Sequence, residues 1–153
     1  MVRRLLFLMA SFVLLGGIAV QAQDIPTYIG SEACGDCHPG EYENFTKYAK
    51  KAQSWNSIQL MTSDLSPVEI AGCYACHTTG YNKPGGFKNA QETPHLKNAG
   101  CEVCHGPGSL HQESFGDPSL IKGQLALTDC ESCHNKDRVN SFNFKPLLHG
   151  GAH

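Results

Sequence analysis

Cysteine and histidine recur in this chain in one fixed order. Cys34-Gly-Asp-Cys37-His38 comes first, followed by Cys73-Tyr-Ala-Cys76-His77, Cys101-Glu-Val-Cys104-His105 and Cys130-Glu-Ser-Cys133-His134. The four copies use all eight cysteines, and their first cysteines stand 39, 28 and 29 residues apart. C-x-x-C-H is the attachment signature of c-type haem. Two thiols add to the two vinyl groups on one edge of the porphyrin, and the adjacent His binds the iron axially. Disulfides or four-cysteine zinc sites could also use eight cysteines, but neither requires a His after every second one. The sequence therefore predicts four covalently bound haem c groups, with His38, His77, His105 and His134 as proximal ligands.

Each iron has a second axial position. His95, His111, His149 and His153 remain for it, and Met61 is the sole Met outside the first 22 residues. His95, His111 and His149 are the expected distal ligands, whereas a terminal His such as His153 is more often a solvated tail residue. A His/Met iron would sit at a higher potential than a bis-His one.

The elements that must carry these residues are short. Sixteen glycines and eight prolines among 153 residues imply many turns and a small side-chain core. Haem, a large apolar plate, would supply the missing buried surface. The expected fold is mainly α and haem-dominated, with short helices and loops and almost no sheet. Tyr42, Phe45, Tyr48, Ala49, Ala52, Trp55, Ile58 and Met61 recur at helical spacing, which predicts one amphipathic helix over 41–61 with its aromatics in the core. Ser66-Pro67-Val68-Glu69 is a capping box opening the helix that carries Cys73. Thr128 and Glu131 suggest a second box at the fourth motif, and Thr93-Pro94 a short turn through His95. Gly80, the Pro84-Gly85-Gly86 run and Gly106-Pro107-Gly108 mark turns, and 115–127 reads as a connecting loop with a helical turn at 119–122.

Arg3 and Arg4 precede an apolar run from Leu5 to Val20, and Val20-Gln21-Ala22 fits a cleavage site. Residues 1–22 thus read as a secretory signal peptide, 23–153 as the mature domain, and the protein as periplasmic or exported to the cell exterior. No stable membrane span is expected after cleavage. The full chain has 12 basic and 14 acidic residues, a net charge of −2. Loss of Arg3 and Arg4 takes the mature domain to −4. No basic stripe is present, which argues against a nucleic-acid partner.

The stretch from Asn98 through Cys101-Glu-Val-Cys104-His105-Gly-Pro-Gly-Ser-Leu-His111 resembles the third-haem motif of the cytochrome c-554 family of tetrahaem cytochromes. The second motif with Gly80, Gly86 and Phe87 behind it, and Gly30 to Cys34 leading to Tyr42 and Phe45, resemble that family's second and first. The resemblance implies a mainly helical periplasmic electron carrier with closely stacked haem pairs. It implies His111 as the distal ligand of the first haem and His149 as that of the fourth. The family His that ligates the third haem falls at Lys50 here, and His95 could fill the gap at the second or third haem. The expected partners are a quinol-linked or multihaem donor and an acceptor. The alternatives are a nitric oxide or nitrite reductase with one five-coordinate haem, and a self-associating cytochrome wire to which the His149–His153 tail lends a ligand.

Overall fold

The computed structural model describes residues 24–135. The 1–22 segment, His149 and His153 lie outside the described residues, so the expectations placed on them are not addressed by the fold.

Seven short α-helices follow one another: α1 (Ser31–Gly35), α2 (Pro39–Tyr48), α3 (Ser54–Met61), α4 (Pro67–His77), α5 (Glu102–His105), α6 (Ser109–Glu113) and α7 (Leu127–Glu131). Single 3-10 turns occupy Lys50–Gln53, Pro94–Leu96 and Pro118–Leu120. Among the described residues the β structure consists of one antiparallel bridge, Thr78 to Lys97. The mainly helical, nearly sheet-free architecture expected from the sequence is therefore present.

Capping at α4 follows the sequence. The Ser66 amide donates to the Glu69 carboxylate at 2.9 Å, the Glu69 amide returns to Ser66 Oγ, and Pro67 fills the first helical position. The Ser66 hydroxyl also donates to this carboxylate at 2.6 Å, and that bond first, then the Ser66 amide, holds the Glu69 carboxyl below its ordinary 4.5. The fourth motif differs. Its helix begins at Leu127, two residues earlier than a Thr128 cap allows, because the Asp129 carboxylate accepts the Ala126 amide at 2.8 Å and also meets the Lys122 ammonium. The helical turn expected at 119–122 is a 3-10 turn at Pro118–Leu120, opened by Asp117 accepting the Ser119 amide at 2.9 Å.

The expected single helix over 41–61 is two helices. Ala49 is extended (φ −83°, ψ 113°), and a 3-10 turn precedes α3. A tertiary interaction wins over local periodicity at this break. The Trp55 amide donates to Asn98 Oδ1 at 2.8 Å, leaving the ladder of the preceding segment. Ser54 is the hub beside it: its hydroxyl donates to the His77 carbonyl at 3.0 Å and accepts the Ala99 amide at 2.9 Å.

The apolar core is small. Phe45, Ala49, Ile58, Phe87, Leu96 and Ala99 are its buried hydrophobic members. Phe45 and Ala49 come from the α2 side of the break, and Ile58 from α3. Leu96 and Thr79 are joined by the Thr79 amide donating to the Leu96 carbonyl at 2.9 Å. The Phe87 amide donates to the Thr79 carbonyl, also at 2.9 Å, folding the glycine turn back onto the second motif. That turn needs glycine: a Cβ on Gly86 would lie 1.8 Å from the Gly80 carbonyl oxygen. Trp55, Tyr74 and Phe87 pack ring on ring with centroids 5.1–5.9 Å apart, and Lys97 lies over Trp55. Trp55 thus meets side chains, the core role expected of it. Large apolar side chains elsewhere, Leu60, Met61, Val68 and Phe115 among them, are exposed.

Candidate haem-attachment centre

Each motif forms one helical turn. The amide of the motif His donates to the carbonyl of its first Cys: His38 to Cys34 at 2.9 Å, His105 to Cys101 at 3.1 Å, His134 to Cys130 at 2.8 Å. In the second motif Cys73, Cys76 and His77 lie within the last turns of α4. A helical turn places positions i, i+3 and i+4 on one face. Both sulfurs and the imidazole therefore share a side, the arrangement a porphyrin edge with an axial ligand requires. None of the eight cysteines is in a disulfide. Among the described residues, no three His, Cys, Asp or Glu side chains converge as a self-sufficient metal site.

The histidines are oriented through one ring nitrogen. His77 Nδ1 meets the Ser54 carbonyl at 2.9 Å, His105 Nδ1 the Lys122 carbonyl at 2.7 Å, and His111 Nδ1 the Asp117 carbonyl at 2.8 Å. A carbonyl oxygen only accepts, so each Nδ1 carries the proton and each Nε2 presents a lone pair. Metal-binding histidines are fixed in this way, with the far N–H given to a carbonyl or carboxylate.

His38 and His111 come together across 73 residues of sequence. Their rings are near-parallel, 13° apart, with centroids 6.3 Å apart. An iron bound to both would produce that spacing: metal–nitrogen bonds of about 2 Å, with each centroid roughly 1 Å behind its nitrogen, span about 6 Å. These two residues fit one bis-His haem iron. The short loop 114–117 locks His111 in place, with the Gly116 amide on its carbonyl at 2.9 Å and Ser114 Oγ donating to the same oxygen at 2.9 Å.

The sulfurs of different motifs also meet. The Cys34 thiol shares a hydrogen bond with Cys101, which pushes Cys34 up and Cys101 down from the usual thiol value; burial adds to the rise at Cys34. The first and third motifs are therefore neighbours. Cys104 is raised by burial, with Cys133 among the charges that reach it, and Cys130 is raised by burial and then by Cys104. The third and fourth motifs are thus neighbours as well. Lys51 stands in this second group, acting on Cys104 and Cys130 and adding to the desolvation that lowers His134.

The other expected ligands fall as follows. Lys50 is exposed at the start of the 3-10 turn, and its neighbour Lys51 faces the third and fourth motifs. His95 is exposed, and its backbone and ring border Gly30 at the entry to the first motif: a Cβ there would lie 2.9 Å from the His95 carbonyl oxygen and 3.4 Å from its Cδ2. Sequence reasoning missed Ser54, Ser31, Lys51 and Glu102. Of these Glu102 alone falls inside a motif, at the position after Cys101 that C-x-x-C-H leaves open, where nothing in the pattern singles it out.

Residues 33–106 match the family model described as cytochrome c554 and c-prime. Cytochrome c-554 of Nitrosomonas europaea is 29% identical over 109 residues, which cover 65% of this chain and 46% of that protein. The chain thus spans about half the length of the relative it matches. No solved structure matches.

Proposed function

We propose that this chain, whose residues 33–106 match the family model described as cytochrome c554 and c-prime, is an exported, periplasmic tetrahaem cytochrome that carries electrons between redox partners. The similarity to cytochrome c-554 supports a c-type cytochrome electron carrier. The observation that carries the proposal furthest is the His38–His111 pair, near-parallel at 6.3 Å and fed by two separate segments of chain. Haem iron, when bound, supplies a one-electron centre.

The chain's own residues do the rest. Cys34 and Cys37, Cys73 and Cys76, Cys101 and Cys104, and Cys130 and Cys133 are the thioether donors. His38, His77, His105 and His134 are the proximal ligands. His111 is the distal partner of His38, and His95 and His149 are further distal ligands. The backbone carbonyls of Ser54, Lys122 and Asp117 fix three imidazoles in the tautomer with the proton on Nδ1. The Cys34–Cys101 hydrogen bond and the electrostatic influence of Cys104, Cys130 and Cys133 on one another bring three attachment points within reach of their neighbours. That suits transfer from group to group and calls for no substrate pocket. The partners are a quinol-linked or multihaem donor and an acceptor.

Mass spectrometry of the protein purified from a host with haem-attachment machinery tests the reading. The expected mass is the chain processed after Ala22 plus four haem groups. A mass with no haem, or with four disulfides, overturns it. Mixing the reduced protein with nitric oxide and with nitrite tests the carrier role. Stoichiometric, many-turnover loss of either would replace the carrier with a reductase.

A further inference from the structure

The most deeply buried charged group among the described residues belongs to no haem-attachment role. Glu102 is 2% exposed and follows Cys101 directly. Its Oε1 accepts the Ile29 amide at 3.0 Å and the Gly108 amide at 2.8 Å. Its Oε2 accepts the Gly30 amide at 2.8 Å and the Ile29 amide at 3.2 Å. Gly30 is the residue from which α1 starts, and α1 leads through Cys34 and Cys37 to His38. Gly108 is the residue from which α6 starts, and α6 carries His111. One carboxylate therefore holds the origins of the two segments that deliver the near-parallel imidazoles.

We propose that Glu102 is a positioning residue for the His38–His111 axial pair, and that its buried negative charge lowers the reduction potential of the iron they hold. The proposal rests on the reading of His38 and His111 as ligands of one haem. Three properties favour it. First, every partner of Glu102 is an N–H donor and both oxygens accept, the pattern of a carboxylate. A glutamine of the same shape would turn an NH2 group toward one of these donors. Second, the surrounding strap is already tied without the charge. The Thr27 amide donates to Ser109 Oγ at 2.9 Å, the Ser109 amide to the Thr27 carbonyl at 3.2 Å, and the Cys101 amide to Ser31 Oγ at 3.0 Å. An ion here is costly to bury and more than a fastening requires. Third, the approach is kept open: a Cβ on Gly108 would stand 3.3 Å from Glu102 Oε1. In a low-dielectric interior an anion favours the more positive ferric state, which moves the potential down.

The test uses the haem-loaded protein and the variants Glu102→Gln, Glu102→Asp and Ser109→Ala. Potentiometric titration and low-temperature electron paramagnetic resonance are read at the haem that His111→Ala perturbs. Glu102→Gln should raise the potential of that haem and change its low-spin signature. Glu102→Asp keeps the charge on a shorter arm, so its potential should stay near the parent's while the signature shifts. Ser109→Ala loosens the strap with no change of charge and should leave the potential in place. Unchanged potential and signature in Glu102→Gln overturn the proposal, as does an equal shift of all haems. Should Glu102→Gln fail to mature, an unchanged signature in Glu102→Asp overturns it instead. Failure of the underlying ligand reading shows separately, in a parent protein whose low-spin haem signals do not respond to His111→Ala.

Discussion

His111 concentrates the residue-scale argument. Its Nδ1 is spent on the Asp117 carbonyl at 2.8 Å, and its ring faces His38 with centroids 6.3 Å apart. On the proposed ligation, replacing it removes one axial ligand and leaves the proximal one in place. His111→Ala should convert one haem of the loaded protein to a high-spin form that binds carbon monoxide when reduced, checked by the optical bands before and after the gas is added. An unchanged spectrum would remove His111 from the ligand set. Of the aromatic residues that the sequence suggested for the core, Phe45 is buried, Trp55 packs against Tyr74 and Phe87 while half-buried, and Tyr48 is exposed. The carboxylate at Glu102 was hidden from a motif reading because C-x-x-C-H treats its two inner positions as spacers. Only the return of Ile29, Gly30 and Gly108 onto that side chain gives it partners.

At the scale of elements, what the sequence made legible was local chemistry. The Ser66–Glu69 box and Pro67 mark the start of α4, and the glycine turn after Thr79 forms where expected, because both depend on neighbours a few residues apart. The break at Ala49 was illegible for the opposite reason: the Asn98 amide oxygen that captures Trp55 lies 43 residues away in sequence. Two predictions belong here. Ser66→Ala removes an N-cap acceptor and should destabilise the protein by about 1 kcal/mol, read by chemical denaturation. Glu69 has its carboxyl lowered in the folded state, chiefly by Ser66, so its contribution is present above its ordinary 4.5 and fades as pH falls through the lower folded value. The difference between parent and Ser66→Ala should therefore shrink on acidification through that range and stay constant above it. Gly86→Ala drives a Cβ into the Gly80 carbonyl at 1.8 Å. Overpacking of this kind costs roughly 1–3 kcal/mol, visible as a lower Tm, and the shift should carry the His77 haem bands with it because that turn is bonded to Thr79.

The whole molecule combines a small apolar core with an acidic chain. Six buried hydrophobic residues serve 112 described positions, and on the proposed cleavage after Ala22 the remaining chain would carry −4, to which haem propionates would add further negative charge. Such a surface favours a partner with a basic docking face. The rate of reduction by that partner should fall as salt rises from about 0.01 M to 0.15 M, over which the screening length shortens from roughly 30 Å to 8 Å. Stopped-flow reduction across that range checks it, and a salt-independent rate would argue against electrostatic docking. Among the described residues no helix is long and apolar enough to cross a membrane.

The clasp between Glu102 and residues 29–30 also imposes an order in time. Its two halves lie 72 and 73 residues apart, and the histidine that faces His38 comes still later in the chain. A polypeptide that emerges N-terminus first exposes Cys34, Cys37 and His38 well before either Glu102 or His111 has appeared. The first motif must therefore wait, half-dressed, for most of the domain to follow it. Contacts of such long range form late in folding. A chain truncated after residue 105 would still present three complete attachment motifs, yet the first would have no opposite imidazole. On the proposed ligation, thioether formation at that motif and completion of its axial set would be separable events, the second gated by arrival of the third motif and the helix behind it.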